Sequence, residues 1–269
     1  MAEKISINLN GVSKTLLMTL YARARETQNP NSIFKDEKAV EMVSRLDCDF
    51  KKFGMQRHDE IAVILRMRKF DGHVSDFLRR NPQGVVVHIG CGLDTRFDRT
   101  DNGEVEWFDL DVPEVITLRQ ALIPNGNSRY HLLATSVFAE DWIMEVERLK
   151  PRPFMFVSEG VLLYFEEVQV RSLFLKLRDQ FPSSELVCDA QTPFMIWANN
   201  LQLAYGKVDA RLRWGLKRGV DVEAWGENIR LLDEWNYFDD DNSNLRAFRW
   251  IRMFPPLAKA SGIFHYRLG

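Results

Sequence analysis

Between Pro82 and Asp189 the chain repeats one arrangement, a short β-branched or aromatic run followed by an amphipathic run, and this alternation restricts the fold more than any other feature. Val85-Val86-Val87-His88-Ile89 is almost wholly apolar and is bracketed by Gly84 and Gly90, as befits a strand buried on both faces of a parallel sheet. Val105 to Asp109, His131 to Ala134, Phe154 to Ser158 and Glu185 to Asp189 supply four further strands. Between them lie helical runs at Glu114 to Leu122 and Glu167 to Phe181, the second stopped by Pro182. Repeated strand–helix–strand units need crossover connections, which produce a mostly parallel sheet with helices on both faces.

The flanks follow other patterns. Thr15 to Arg25, Glu37 to Leu46 and Ile61 to Leu78 carry apolar residues at helical spacing, the last run ended by Asn81-Pro82. From Thr192 to Asn244 the alternation stops, and four of the seven tryptophans fall there: Trp197, Trp214, Trp225 and Trp235. This stretch, with Tyr205 and Tyr237, reads as a helical insertion lying over the strand ends as a lid. Arg246 to Met253 and Ile263 to Leu268 read as two closing strands, separated by Pro255-Pro256 and Gly262 and close enough to pair antiparallel. A single domain is expected, with a helical cap over 1–80, a core over 83–191, the insertion over 192–244 and closing strands over 245–269. Five alternating strands followed by a closing pair is the pattern of a class I methyltransferase sheet, although a dehydrogenase domain shares its first half.

Composition removes several other classes. A formal net charge of −2, with 45% hydrophobic and 28% charged residues, is ordinary for a globular protein and lacks the basic excess of a nucleic-acid binder. The longest apolar runs fall far short of the ~20 residues that span a bilayer. The N-terminus does not have the basic-then-apolar layout of a secretory signal, and Cys48, Cys91 and Cys188 are odd in number and widely spaced. A cytoplasmic protein with no disulfide framework, no metal site, no membrane contact and no nucleic-acid partner is the expectation.

In an open α/β sheet the ligand sits beyond the carboxyl ends of the strands, which directs attention to Gly90-Cys91-Gly92-Leu93-Asp94-Thr95. Thr95 stands where a dinucleotide fingerprint has its third glycine, so close approach of a pyrophosphate is not provided for. Two glycines still allow a nucleoside or amino-acid group to lie against the backbone, and a plain tight turn explains them equally well. Asp109 and Asp111 end the second strand near the ~20-residue spacing of an acid that grips ribose hydroxyls. A carboxylate accepts both protons of a cis-diol; either aspartate alternatively caps the helix that starts at Glu114.

Several segments together resemble the S-adenosylmethionine-dependent leucine carboxyl methyltransferase family, nearer its bacterial branch of tetracenomycin polyketide O-methyltransferase-like proteins. They are the stretch from Thr15 to Ala24, Leu65-Arg66-Met67-Arg68-Lys69-Phe70-Asp71, the stretch from Val86 to Phe97, Trp107-Phe108-Asp109-Leu110-Asp111-Val112-Pro113, and Ser158-Glu159-Gly160-Val161-Leu162-Leu163-Tyr164. The ending Tyr266-Arg267-Leu268-Gly269 also fits. The resemblance implies a class I Rossmann-like fold and S-adenosyl-L-methionine as cofactor. It places Arg66 at the cofactor's methionine carboxylate, with Gly90 and Gly92 at the backbone turn beneath the methionine part. Asp111 rather than Asp109 falls at the ribose, Ser136 and Val137 at the adenine, and Glu159 near the amino group. Ser136 departs from the aspartate usual in the eukaryotic branch. Lys14 falls near a family lysine by the cofactor carboxylate, and Tyr164 matches a tyrosine at the mouth of the active site that positions the acceptor.

The implied activity is O-methyl transfer to a carboxylate or hydroxyl of a small-molecule acceptor. Alternatives are a protein that holds the cofactor without turnover, or one that methylates a protein C-terminal carboxylate. A carboxylate acceptor needs no base, whereas a hydroxyl usually does. Histidine candidates are thin: His88 and His131 lie in predicted strands and read as core or near-core, and His58 and His73 as solvated helix residues. Asp239-Asp240-Asp241 reads as a solvated loop.

Overall fold

The computed structural model describes residues 4–7, 9, 11–124, 126–205, 210–239 and 253–269. Its helices are α1 (Leu16–Thr27), α2 (Glu37–Arg45), α3 (Arg57–Arg80), α4 (Arg96–Thr100), α5 (Pro113–Leu122), α6 (Asp141–Glu147), α7 (Glu167–Gln180), α8 (Pro193–Tyr205) and α9 (Pro255–Ala258). Its strands are β1 (Val85–Ile89), β2 (Glu106–Asp111), β3 (Tyr130–Ala134), β4 (Phe154–Ser158), β5 (Ser184–Gln191), β6 (Ile229–Asn236) and β7 (Ser261–Leu268). One sheet holds them in the order β3-β2-β1-β4-β5-β7-β6. The first five strands run parallel, and β7 is antiparallel to β5 and β6. This is the class I methyltransferase sheet with its antiparallel last strand.

Alternate side chains of each strand serve the two faces, so a sheet covered on both sides needs two apolar sets. On one face Val85, Val87, Ile89, Phe156 and Leu186 pack under α6 and α7, whose Trp142, Phe174 and Leu177 join them. On the other, Val86, Trp107, Met155, Val157 and Val187 receive Phe70, Val74 and Phe77 of α3. Each such side chain contributes about 1.5–3 kcal/mol on burial. The expected helical cap is therefore divided. Helix α3 is a layer of the sheet, while α1, α2 and α5 share a separate cluster around Leu20, Ala39, Met42 and Leu118.

The stretch expected to be a helical insertion begins as one in α8, but it also contains a short 3-10 helical segment at Gly219–Trp225 and then β6. Among the described residues the strand that pairs with β7 on its far side is β6; of the expected strand Arg246 to Met253, residues 246–252 lie outside the described residues. The register of β6 shifts between Leu231 and Asp233, and Leu232 is exposed, so the period-two signal of this edge strand is broken. Among its tryptophans, Trp214 is buried and Trp197 is 59% exposed. Residues 240 and 241 of the aspartate run also lie outside the described residues.

The chain leaves β1 for β2 on one side and returns to β4 on the other, so the crevice opens above the carboxyl ends of β1 and β4. Gly90 and Glu159 are the residues that follow those two ends.

Contrary to the solvated placement expected of it, His73 on α3 is buried, its ring centroid 4.8 Å from that of His265. Burial, His265 and Lys69 push its pKa down to about 4, against the pull of Asp233 and Asp76. The folded protein therefore keeps this ring neutral while the unfolded chain protonates it near pH 6.5. The contribution is fully present above about pH 6.5 and is lost as pH falls toward 4, on the order of 3 kcal/mol. His73→Gln is expected to flatten this part of the stability–pH curve, measured by urea unfolding at a series of pH values; an unchanged slope between pH ~6.5 and ~4 would refute it.

Candidate functional site

The glycine turn is held from two sides. Gly90 has φ +66°, and a Cβ placed there would lie 2.2 Å from Cγ2 of Val161, so the backbone after β1 is pressed against the segment after β4. The N–H groups of Gly90 and Cys91 donate to the Leu110 carbonyl at 2.7 and 3.1 Å, fastening the turn to β2. Beyond it the N–H of Gly92 donates to Oδ2 of Asp111 at 2.8 Å, while Val112 N–H donates to Oδ1 at 2.8 Å. Asp111 is only partly buried, and burial lifts its pKa against the pull of those two N–H groups.

The two aspartates of β2 have distinct fates. Asp109 is 1% exposed and accepts from Trp107 Nε1 at 2.7 Å, from the Tyr130 hydroxyl and from Arg119. Its acceptor capacity is spent inside the fold, while Asp111 stands at the crevice.

Above β4 and β5 the charges converge. Glu159, next after β4, accepts from Arg66 Nε at 2.8 Å through Oε1 and from Arg96 through Oε2. Arg66 Nη1 also donates to Asp189 Oδ2 at 3.2 Å, and Asp189 Oδ1 takes the Gly160 N–H at 2.7 Å. Burial raises the pKa of Asp189, opposed by Arg66. A hydrogen bond joins Arg66 to Tyr237, whose hydroxyl burial pushes well above its ordinary range. Arg66 and Glu159 thus meet from elements 93 residues apart. Arg68, by contrast, is exposed on another face of α3, as its spacing predicts.

The remaining expected residues are more scattered. Ser136 is exposed after β3, its Oγ accepting from Phe138 N–H at 3.3 Å. Val137 is buried in the core, with its carbonyl accepting from Trp142 Nε1 at 3.0 Å. Tyr164 donates to Thr15 Oγ1 at 3.5 Å and is tied to the α1 side of the crevice, while burial raises its pKa. Lys14 is exposed one residue before Thr15. His88 is buried against Arg96, as expected, and His131 is part-buried beside Glu106. Sequence reasoning missed Asp189, Arg96 and Asp71. Asp189 carried a usable signal, since it ends the predicted fifth strand as Glu159 follows the fourth. Tyr237 stands out in sequence only as one aromatic of the insertion, with nothing in its spacing to place it against Arg66.

A groove of about 720 Å³ lies between the start of α7 and α8, bordered by Glu166, Trp197, Asn200, Arg211 and Trp214. Among the described residues no group of three or more His, Cys, Asp and Glu is placed to hold a metal ion. No helix of the described residues is long and apolar enough to cross a membrane.

A seven-stranded sheet of this order, with a glycine turn after β1, Asp111 ending β2 and Glu159 following β4, has the arrangement of the class I methyltransferases. The model of leucine carboxyl methyltransferases matches residues 16–178. The tetracenomycin polyketide synthesis O-methyltransferase TcmP of Streptomyces glaucescens is 33% identical over 235 residues, 87% of this chain and 86% of that protein. The S-adenosyl-L-methionine-dependent methyltransferase dpfgK of Gibberella zeae is 29% identical over 195 residues, 68% of this chain and 65% of its own. A DUF574-family protein from Streptomyces avermitilis shares the fold with a TM-score of 0.60 at 14% identity, over 95% of this chain and 97% of that one. The chain belongs to the leucine carboxyl methyltransferase family, and S-adenosylmethionine is its cofactor.

The geometry of the turn makes its own test. Gly90→Ala would force a side chain into positive φ, costing about 1–2 kcal/mol, and into Val161, costing about 1–3 more. Adding Val161→Ala is expected to recover the second part only. Denaturant unfolding of the single and double variants checks this, and full recovery would show that φ strain is absent.

Proposed function

We propose that this methyltransferase acts on an oxygen of a small-molecule acceptor, with Arg66, Gly90, Gly92, Asp111, Ser136, Val137 and Glu159 forming the cofactor site and Tyr164 positioning the acceptor. The observation that carries this reading is the meeting of Arg66 with Glu159 and Asp189 beside the glycine turn. Opposite charges so placed complement an amino-acid zwitterion: a guanidinium suits its carboxylate and Glu159 its ammonium. Each oxygen of Asp111 holds one backbone N–H and has a lone pair left for a ribose hydroxyl. Ser136 offers a neutral hydroxyl at the strand end, and Val137 an apolar backing. The O-methyltransferase name of the Streptomyces glaucescens relative supports oxygen as the accepting atom.

The sulfonium supplies an activated methyl carbon when the cofactor is bound. What the chain contributes is alignment and a dry site, since an in-line displacement depends on both. Its histidines are otherwise engaged: His88 with Arg96, His131 with Glu106, His73 with His265, and exposed His58 with Asp59 at the start of α3. Tyr164 and Tyr237 hold their hydroxyl protons more tightly than usual. These observations favour a carboxylate acceptor, which is nucleophilic at neutral pH without a base.

Calorimetry with S-adenosylhomocysteine is expected to show binding that Arg66→Ala and Asp111→Ala each weaken by about tenfold or more. Unchanged affinity in both would overturn the site assignment. Transfer of labelled methyl from S-adenosylmethionine to a panel of carboxylates and phenols should favour the carboxylates; binding with no transfer to any member would favour a silent cofactor-binding protein instead.

A further inference from the structure

Arg96 is fully buried at the crevice and has no role in the reading above. Its guanidinium is clamped from three directions. Nε donates to Asp71 Oδ1 at 2.8 Å, and Nη1 lies 3.1 Å from His88 Nε2. Nη2 faces Asp94 Oδ2 at 3.2 Å as well as Glu159 Oε2. The ring of Phe70 covers one side, its centroid 5.4 Å from the guanidinium carbon. A planar fork held on α3, on β1 and on the turn after β1 cannot rotate, so its bond to Glu159 has a fixed direction.

Glu159 needs such a support because its other partner is shared. Arg66 divides its donors between Glu159 and Asp189, and a ligand carboxylate arriving at Arg66 competes for the same donors. A glutamate held by Arg66 alone would then regain rotamer freedom at the moment it has to meet an ammonium. We propose that Arg96 is a positioning residue for the cofactor's amino group. It pins Oε2 of Glu159 so that the carboxylate stays aimed into the crevice while Arg66 turns to the ligand's carboxylate. This rests on the assignment of Glu159 to the α-ammonium.

The test compares S-adenosylhomocysteine with its desamino analogue, identical but for a hydrogen in place of the α-ammonium, by calorimetry on the wild-type protein, Arg96→Lys and Asp71→Asn. The wild type is expected to prefer the amino-bearing ligand by about tenfold or more. Lysine keeps the charge but loses the fork, so in Arg96→Lys the preference should fall to within about twofold while affinity for the desamino analogue changes little. Asp71→Asn removes the charge and one of the two acceptors that Arg96 and Arg99 share, loosening the clamp, and should move the preference the same way by a smaller factor. It carries the decision if Arg96→Lys does not fold. A preference retained in full, or an equal loss for both ligands, would overturn the role of Arg96 and leave Glu159 in place. Absence of any preference in the wild type would instead overturn the Glu159 assignment.

Discussion

Buried guanidinium groups beside the strand ends stand only because carboxylates meet them. Arg23 bonds Asp36, Arg99 bonds Asp71 and Asp94, Arg96 bonds Asp71 and Glu159, and Arg66 bonds Glu159 and Asp189. Taking an ion out of water costs several kcal/mol, and deleting one partner of a buried pair leaves the other stranded at about 3–5 kcal/mol. Such a chain of pairs contributes less to net stability than the apolar layers around it. Its effect is to fix direction, since bidentate and forked contacts tolerate few arrangements.

Helix α3 shows how the two kinds of contact divide the work. Phe70, Val74 and Phe77 bind it to the sheet, but apolar contact alone would permit sliding along the strands. Arg66 and Asp71 on the same helix set its register, one reaching Glu159 and Asp189, the other receiving Arg96 and Arg99. The helix that covers one face of the sheet is therefore also a wall of the crevice. A residue substituted in its apolar stripe would be felt at the site through this shared rigid element.

The sequence made the central strands legible because each is buried on both faces and so reads as an unbroken apolar run: β4 spans Phe154–Ser158 as its pattern predicts, and β1 likewise. Edge strand β6 was illegible for the opposite reason, with Arg230, Asp233 and Glu234 interrupting a strand that also carries a register shift. Within the site, spacing left Asp109 and Asp111 open, and it was the family resemblance that chose Asp111 and added Glu159, which follows the fourth strand. Arg96 and Asp71 could not be found that way. Their importance depends on which residues across the sheet they meet, and a buried arginine looks in sequence like a solvated one.

The pairing also bears on what the crevice can accept. Arg66 is already satisfied by two carboxylates, so a ligand that offers it nothing ionic leaves that arrangement closed. On the proposed site a bare nucleoside would reach Asp111 and Ser136 but have no claim on Arg66. An amino-acid zwitterion, by contrast, would bring a carboxylate to replace Glu159 at Arg66 and an ammonium for Glu159, so with Asp189 kept by Arg66 no buried charge would be left alone. On the proposed site, selectivity for the intact amino-acid-bearing cofactor over its nucleoside fragments would then come from exchange of partners within a balanced set, with Arg96 as the member that does not exchange.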